Sequence, residues 1–353
     1  MSVIGSNVLA GASGAGGSEF YVLGVAHGGS SKINVYDWDS GFGSKYSDPS
    51  TLPGGTAYNC AFHPDGNAIA VGSSGTPYLQ VYPFSSSGFG TKYTDLATSD
   101  QPGAGPNYVP FSPDGNAIAV GTSATPYQHA YSWSSSGFGS RYSDPSSGIP
   151  NAGTATDFHP DGNAVAFGHF TPPFHTVYAW SSSGFGSKYS SASTAPASTC
   201  YGAAFSPNGN YLAYAHQSGN YLSVYNWSSS SGFGSKFSDP STTPPGNSRG
   251  VAFSPDSDYI AVSSTASPYI IVYPFSSSGF GTKYSNPSTL PGGQGWFGIG
   301  WSPDGNDIAI GTNDSPYIQA YPWTSSGFGT KYANPSTLPG SSAYGMAFGT
   351  IRG

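Results

Sequence analysis

Charge is scarce in this chain. Only 8% of its 353 residues are Asp, Glu, Lys or Arg, and the formal net charge is −7. No basic run exists, and seven of the ten cations fall at one position of an internal repeat, so they are spread singly rather than gathered in a stripe that could follow a phosphate backbone. Nucleic acid is therefore not an expected partner. Glu, the commonest general acid, occurs once, at Glu19. The opening MSVIGSNVLAGASGAGG has neither a cationic n-region nor a long apolar core, so no Sec signal is expected, and no apolar stretch approaches 18 residues, so no membrane span is expected. The two cysteines, Cys60 and Cys200, fall at different repeat positions and read as buried free thiols rather than a disulfide or redox pair. No helical periodicity is found anywhere.

What the chain does have is Gly, Pro and aromatic residues. Gly 51 and Pro 30 approach low-complexity levels, but 15% aromatics supply enough apolar surface to offset chain entropy, and a folded protein is expected. Gly-Phe-Gly recurs at Gly41, Gly88, Gly137, Gly184, Gly232, Gly279 and Gly327, 47 to 49 residues apart. A small hydroxyl residue, a cation and an aromatic ring follow each copy: Lys45-Tyr46, Lys92-Tyr93, Arg141-Tyr142, Lys188-Tyr189, Lys236-Phe237, Lys283-Tyr284 and Lys331-Tyr332. A fixed period of this size signals one supersecondary unit repeated.

Residues 249–287 show the unit. Arg249–Phe253 is a short extended run, Ser254-Pro-Asp256 a turn, Asp258–Val262 a second run, Pro268–Phe275 a third, Ser276–Gly281 a Gly/Ser connector and Thr282–Ser285 a short fourth run. This predicts one antiparallel β-meander per repeat. In the turn, Pro presets φ, Asp caps its own backbone and Gly accepts positive φ. Ser257 replaces that Gly in one copy, at an expected cost of about 1 kcal/mol if the turn is kept. The third run always carries Tyr two residues before Trp or Phe, as in Tyr36/Trp38 and Tyr273/Phe275, placing both rings on one face with small aliphatic residues on the other. Such sheets need cover on both sides, which radial packing about an axis provides.

The ends complement each other. Residues 20–50 lack a first strand, and Ala343–Phe348 is a first strand with no unit after it. The expected fold is all-β: a seven-bladed β-propeller of four-stranded antiparallel blades, with a C-terminal strand completing the N-terminal blade. The expected organisation is an N-terminal Gly/Ser-rich arm over 1–19 and a single propeller domain over 20–353. The turn motifs Phe62–Asn67, Phe111–Asn116, Phe158–Asn163, Phe205–Asn210, Phe253–Asp258 and Trp301–Asn306, with the aromatic-ended third strand, resemble a seven-bladed propeller of the WD-repeat kind over about residues 20–349. The chain departs from that pattern in having no Gly-His before any first strand and Trp-Ser, Phe-Ser or Trp-Thr where Trp-Asp is usual, with Trp38-Asp39 the one match, so the resemblance carries the fold and no functional residue. The Ser-Ser-Gly-Phe-Gly-Thr-Lys-Tyr string also resembles repeats in propeller proteins of tailed phages.

The seven cations read as edge protection on the outermost strands, with a basic rim for an anionic partner as the alternative. His27, His169 and His216 share the position after the second strand, where other units have Ser73, Thr122, Ser264 and Thr312, and read as hydrogen-bonding strand ends rather than metal ligands, as does neighbouring His175. His63 and His159 read as surface variation in the turn. Asp65, Asp114, Asp161, Asp256 and Asp304 repeat once per unit and space themselves around the ring, unlike a hydrolytic carboxylate pair. No catalytic residue, metal or cofactor is expected.

One position varies while its surroundings repeat: Tyr58, Asn107, Thr154, Tyr201, Arg249, Phe297 and Tyr344, four residues before the first-strand aromatic, with Trp296 adjoining Phe297. These are expected to ring the mouth of the central channel and bind a partner. The expected function is a non-enzymatic structural or interaction module. The phage resemblance implies an exposed virion component of head or tail, assembled in the host cytoplasm, whose partners are other virion proteins or a host-surface protein or glycan. A carbohydrate-binding propeller and a propeller hydrolase or lyase are the alternatives.

Overall fold

The computed structural model describes residues 19–352. Of the expected arm only Glu19 falls among them; it opens the first strand, and the remainder lies outside the described residues.

Seven separate antiparallel sheets form a propeller, each running from the axis outward in chain order. Blade 1 is the exception that closes the ring: Ala343–Arg352 is its innermost strand, followed by Glu19–His27, Ile33–Trp38 and Phe42–Lys45. The closing pair is in register from Glu19↔Arg352 to Ala26↔Gly345, so the chain ends hydrogen-bond to each other and leave no open edge there. Blades 2, 4, 5, 6 and 7 begin with Ala57–Phe62, Gly153–Phe158, Cys200–Phe205, Ser248–Phe253 and Gly295–Trp301. Blade 3 has three named strands, Ala117–Gly121, Gln128–Ser134 and Gly137–Arg141. Its innermost segment keeps only the bridge Phe111↔Ile118 and one bond from Ala119 N to Pro110 O at 3.2 Å, because Pro110 has no N–H to offer a ladder.

The fourth strand corrects the expected boundaries. Gly-Phe-Gly is no connector: it begins the outermost strand, which spans Gly184–Lys188 and Gly232–Lys236 in blades 4 and 5 and shrinks to Gly279–Phe280 and Gly327–Phe328 in blades 6 and 7. The repeated signature is a lock between blades. The first Gly of each copy has positive φ, +79° to +131°, and the ring of the preceding blade's Tyr or Phe lies against it, as Tyr332 does on Gly41 and Phe237 on Gly279. The same ring meets the third-strand Trp or Phe of that blade edge-on at all seven seams, from Tyr93 on Trp133 at 4.9 Å to Tyr332 on Trp38 at 5.8 Å. The accompanying cation folds back locally. Lys45, Lys92, Arg141 and Lys236 pair with the aspartate three residues on, and Lys283 and Lys331 with Asn286 and Asn334. Exposed pairs of this kind contribute little stability, but they hold each cation against its own link.

The third-strand tyrosines hold the links that carry the chain from rim to axis. The hydroxyls of Tyr36, Tyr131, Tyr178, Tyr225, Tyr273 and Tyr321 donate to the carbonyls of Thr337, Asp100, Ser147, Thr194, Thr242 and Thr289 at 2.7–3.0 Å. The ring of Tyr82 is buried like the others, but its hydroxyl meets no acceptor among the described residues.

The turns also differ from one expectation. His63 and His159 are buried, not surface variants. Each accepts a backbone N–H at Nδ1, from Asp65 or Asp161, which leaves Nε2–H to donate to the next blade's turn at Gly115 O (3.1 Å) or Gly209 O (3.0 Å). They replace Ser because an imidazole spans the seam and a hydroxyl does not. Ser257 keeps the left-handed turn at φ +67°, and its Oγ accepts from Asn208 N of the neighbouring blade at 3.1 Å.

Two stability comparisons follow. Tyr273→Phe should cost about 1 kcal/mol or more, since Thr242 O loses its donor, whereas Tyr82→Phe should cost nothing or stabilise slightly; paired denaturant melts measure the difference, and equal losses would show that the hydroxyl bonds are immaterial. Ser257→Ala should cost about 1 kcal/mol through the lost inter-blade bond, while Ser257→Gly should lie near zero because relief of left-handed strain offsets that loss.

Candidate binding site at the channel mouth

In six of the seven blades the variable residue sits where the innermost strand carries a bulge or irregularity. Ala57 pairs with Ser73 and Asn59 with Gly72, leaving Tyr58 as the extra residue. Thr154, Tyr201 and Tyr344 are extra in the same way, and Arg249 lies in the corresponding irregularity of blade 6. Between Gly295↔Thr312 and Ile299↔Ile310 the excess is two residues, which accommodates both Trp296 and Phe297. A bulge breaks the alternation of a strand and re-aims the extra side chain. Here the extra residues Tyr58, Tyr201, Arg249, Trp296, Phe297 and Tyr344 stay half-exposed between buried neighbours, whereas Thr154 is buried.

Neighbouring blades then bring some of these residues together. In blades 5, 6, 7 and 1 the residue after the variable one is Gly202, Gly250, Gly298 and Gly345. A Cβ at Gly250 would stand 2.6 Å from Phe297 O, one at Gly298 2.8 Å from Met346 Cγ, and one at Gly345 2.5 Å from Tyr58 O. These glycines allow the inner strands to crowd, and the preceding side chains meet. Tyr58 and Tyr344 are edge-to-face at 5.9 Å, Tyr344 and Trp296 lie 5.2 Å apart, and Trp296 and Phe297 5.9 Å. Phe297 also reaches Tyr201, two blades away, at 6.2 Å, and half-exposed Phe170 extends the patch outward from Tyr201.

Arg249 sits among these rings. Its guanidinium carbon lies 4.4 Å from the Trp296 centroid, 5.3 Å from Tyr201 and 5.8 Å from Phe297. Burial draws its pKa below the usual guanidinium value, with only the neighbouring Tyr201 acting in the other direction. The indole N–H of Trp296 is buried with no acceptor among the described residues.

Of the expected rim residues, the structure therefore gathers Tyr58, Tyr201, Arg249, Trp296, Phe297 and Tyr344 into one cluster. Thr154 instead turns its hydroxyl to Cys200 O, and half-buried Asn107 stands in the irregular segment of blade 3. Sequence reasoning missed Tyr108, one position further on. Its ring crosses the axis to meet Phe297 at 6.1 Å, and its hydroxyl reaches Arg249 O at 3.5 Å. Blade 3 faces blades 6 and 7 across the ring, so Tyr108 plugs the channel beneath the mouth; burial raises its hydroxyl pKa. The signal for it was available in the two prolines, Pro106 and Pro110, which bar a regular ladder and shift which side chain points inward.

Elsewhere the titratable groups are structural. His27, His169 and His216 are fully buried; His169 and His216 meet the hydroxyls of Thr176 and Ser223 at 3.1 Å, and His27 Nδ1 accepts from Gly29 N. Burial lowers the pKa of these three, and of His129 and His175, to about 4. Among the described residues no three His, Cys, Asp or Glu side chains converge to hold a metal ion. The turn carboxylates serve their own turns: Asp114, Asp256 and Asp304 accept from the Ser two residues before and from the backbone N–H two residues after. Cys60 and Cys200 are buried free thiols.

No family model and no curated protein sequence matches the chain. Solved structures do match in shape. A candidate 6-phosphogluconolactonase from Bacteroides uniformis ATCC 8492 superposes with a TM-score of 0.72 at 15% identity, covering 94% of this chain and 99% of its own. A protein of unknown function from Desulfotomaculum acetoxidans DSM 771 gives 0.68 at 15% identity over 95% and 99%. A protein from Lactobacillus plantarum gives 0.68 at 14% over 94% and 99%. At such identities the likeness establishes the propeller fold and nothing about activity.

The buried histidines set a pH dependence. Their folded pKa of about 4 lies below the unfolded value of about 6.5, so between these limits the unfolded chain binds more protons and stability rises with pH. Melting temperature should be flat above about pH 7 and fall on acidification from about 6.5 to 4, each buried histidine contributing at most about 1.4 kcal/mol per pH unit. His216→Gln should shallow that slope; an unchanged profile would show that His216 protonates as readily in the folded state.

Proposed function

We propose that the protein is a non-enzymatic binding module that presents the aromatic and cationic channel mouth to its partner. One observation carries this reading: the side chains that differ between otherwise repeated units are the bulge residues, and six of them meet in a single half-exposed cluster around Arg249. Rings and a guanidinium bind without supplying a nucleophile or a proton of suitable pKa. The histidines that could act near neutral pH are buried in hydrogen bonds of the scaffold. The setting we favour is an exposed virion component contacting other virion proteins or the host surface. The phage-like repeat string and the sealed ring of low charge support it.

A carbohydrate partner is supported by a specific feature. Tyr58, Tyr201, Trp296 and Tyr344 are half-exposed at the mouth, each offering a rigid amphipathic ring. The opposing reading is a hydrolase, as the name of one structural neighbour suggests for that neighbour. Purified protein incubated with 6-phosphogluconolactone should hydrolyse it no faster than buffer. Saturable turnover lost on Arg249→Gln would overturn the non-enzymatic reading.

A further inference from the structure

Arg249 is the feature of the mouth that aromatic stacking alone does not explain. It is one of only three cations outside the repeated outer-strand position, with Lys32 and Arg352. Arg352 lies by Glu19 and Asp65, and Lys32 Nζ donates to Gly28 O. By contrast Arg249 is held half-buried against the rings of Trp296, Tyr201 and Phe297, none of which accepts its N–H groups in a hydrogen bond. The N–H groups of a guanidinium lie along that edge in a fork that matches a carboxylate in two parallel hydrogen bonds. Packing against three rings also restricts the side chain, so less rotamer entropy remains to be lost when an acceptor arrives.

We propose that the mouth binds a carboxylate-bearing sugar of an acidic glycan, with Arg249 receiving the carboxylate and the neighbouring rings receiving the pyranose. This rests on the binding-module reading above and names its ligand class. Three features favour such a ligand over a neutral one. Among the described residues no carboxylate forms an ion pair with Arg249, and Tyr201 is the only group that favours its charged form, so an incoming carboxylate would meet an unpaired cation. Its desolvation has already been met by the fold, which strengthens an ion pair formed there relative to one on the open surface. The indole N–H of Trp296, buried beside the guanidinium with no acceptor among the described residues, becomes a second donor only if the ring shifts as a ligand enters. The aromatic half of the mouth, from Tyr201 through Trp296 and Tyr344 to Tyr58, is several rings long, enough for an oligosaccharide rather than an isolated acid.

Calorimetric titration with trigalacturonate and with sialyllactose tests this, using their methyl esters and lactose as uncharged counterparts. At least one acid should bind, its ester at least tenfold more weakly, and Arg249→Gln should weaken the acid at least tenfold and the ester by much less, so that the acid–ester difference collapses. Arg249→Lys, which keeps the charge and loses the fork, should fall between. Acid and ester binding alike would overturn the carboxylate assignment while leaving the mouth as a sugar-binding module. Neither acid binding would overturn the assignment, and lactone turnover in the separate assay would remove the module reading as well. If Arg249→Gln does not fold, the acid–ester comparison on the unaltered protein decides.

Discussion

The structure depends on a ring wedged between two blades. At every seam a Tyr or Phe from the outer edge of one blade lies on the positive-φ Gly of the next blade's outer hairpin and edge-on to its third-strand Trp or Phe. A side chain on that Gly would be strained by backbone conformation and obstructed by the ring, as at Gly184, where a Cβ would stand 2.7 Å from Tyr142. The lock repeats seven times, so each blade is gripped on both sides, and the strand contributed by the C-terminus makes the last grip possible. Aromatic area at the seams and the tyrosine hydroxyls on the links together hold the blades to one another.

This explains what could be read from the residues. The most repetitive string, Gly-Phe-Gly followed by a cation and Tyr, is the lock, and its regular spacing and complementary ends led directly to a closed seven-bladed ring. Its internal detail was less accessible. The string looks like a flexible connector because Gly and Ser dominate it, yet two of its residues pair with the third strand. His63 and His159 look like variation in a polar turn, but their partners, the carbonyls of Gly115 and Gly209, are about 50 residues away and belong to another blade. Contacts across a seam leave no local pattern, so a sequence reading assigns such residues to solvent.

The site was partly legible for a related reason. Variation against a repeating background located Tyr58, Tyr201, Arg249, Phe297 and Tyr344, and an unusual dipeptide added Trp296. The bulges that aim them were invisible, since one extra residue in a strand changes no composition. Asn107 was singled out by alignment with its counterparts, whereas Pro110 disrupts the ladder in that blade and makes Tyr108 the residue that crosses the axis. Repeat alignment assumes equal registers, and it fails where proline forbids them.

The bulges also separate two demands on the same strand. Residues paired on either side must fit neighbouring blades, as the buried Cys60, Ala61 and Phe62 do. The bulged residue is excluded from that packing, so its identity can change from Tyr to Thr to Arg without altering the fold. Which of them meet is then set by the residue that follows. Gly202, Gly250, Gly298 and Gly345 bring four successive inner strands close, while Ala155 and Asn59 occupy the same position in blades 4 and 2. The mouth is consequently lopsided, with rings and the guanidinium crowded over blades 5, 6, 7 and 1 and Thr154 and Asn107 opposite. A symmetric scaffold thus acquires an asymmetric surface through bulges in six blades and a following glycine in only four of them. Arg249 lies in the second of the four crowded blades, where rings from both neighbours can hold a cation away from water.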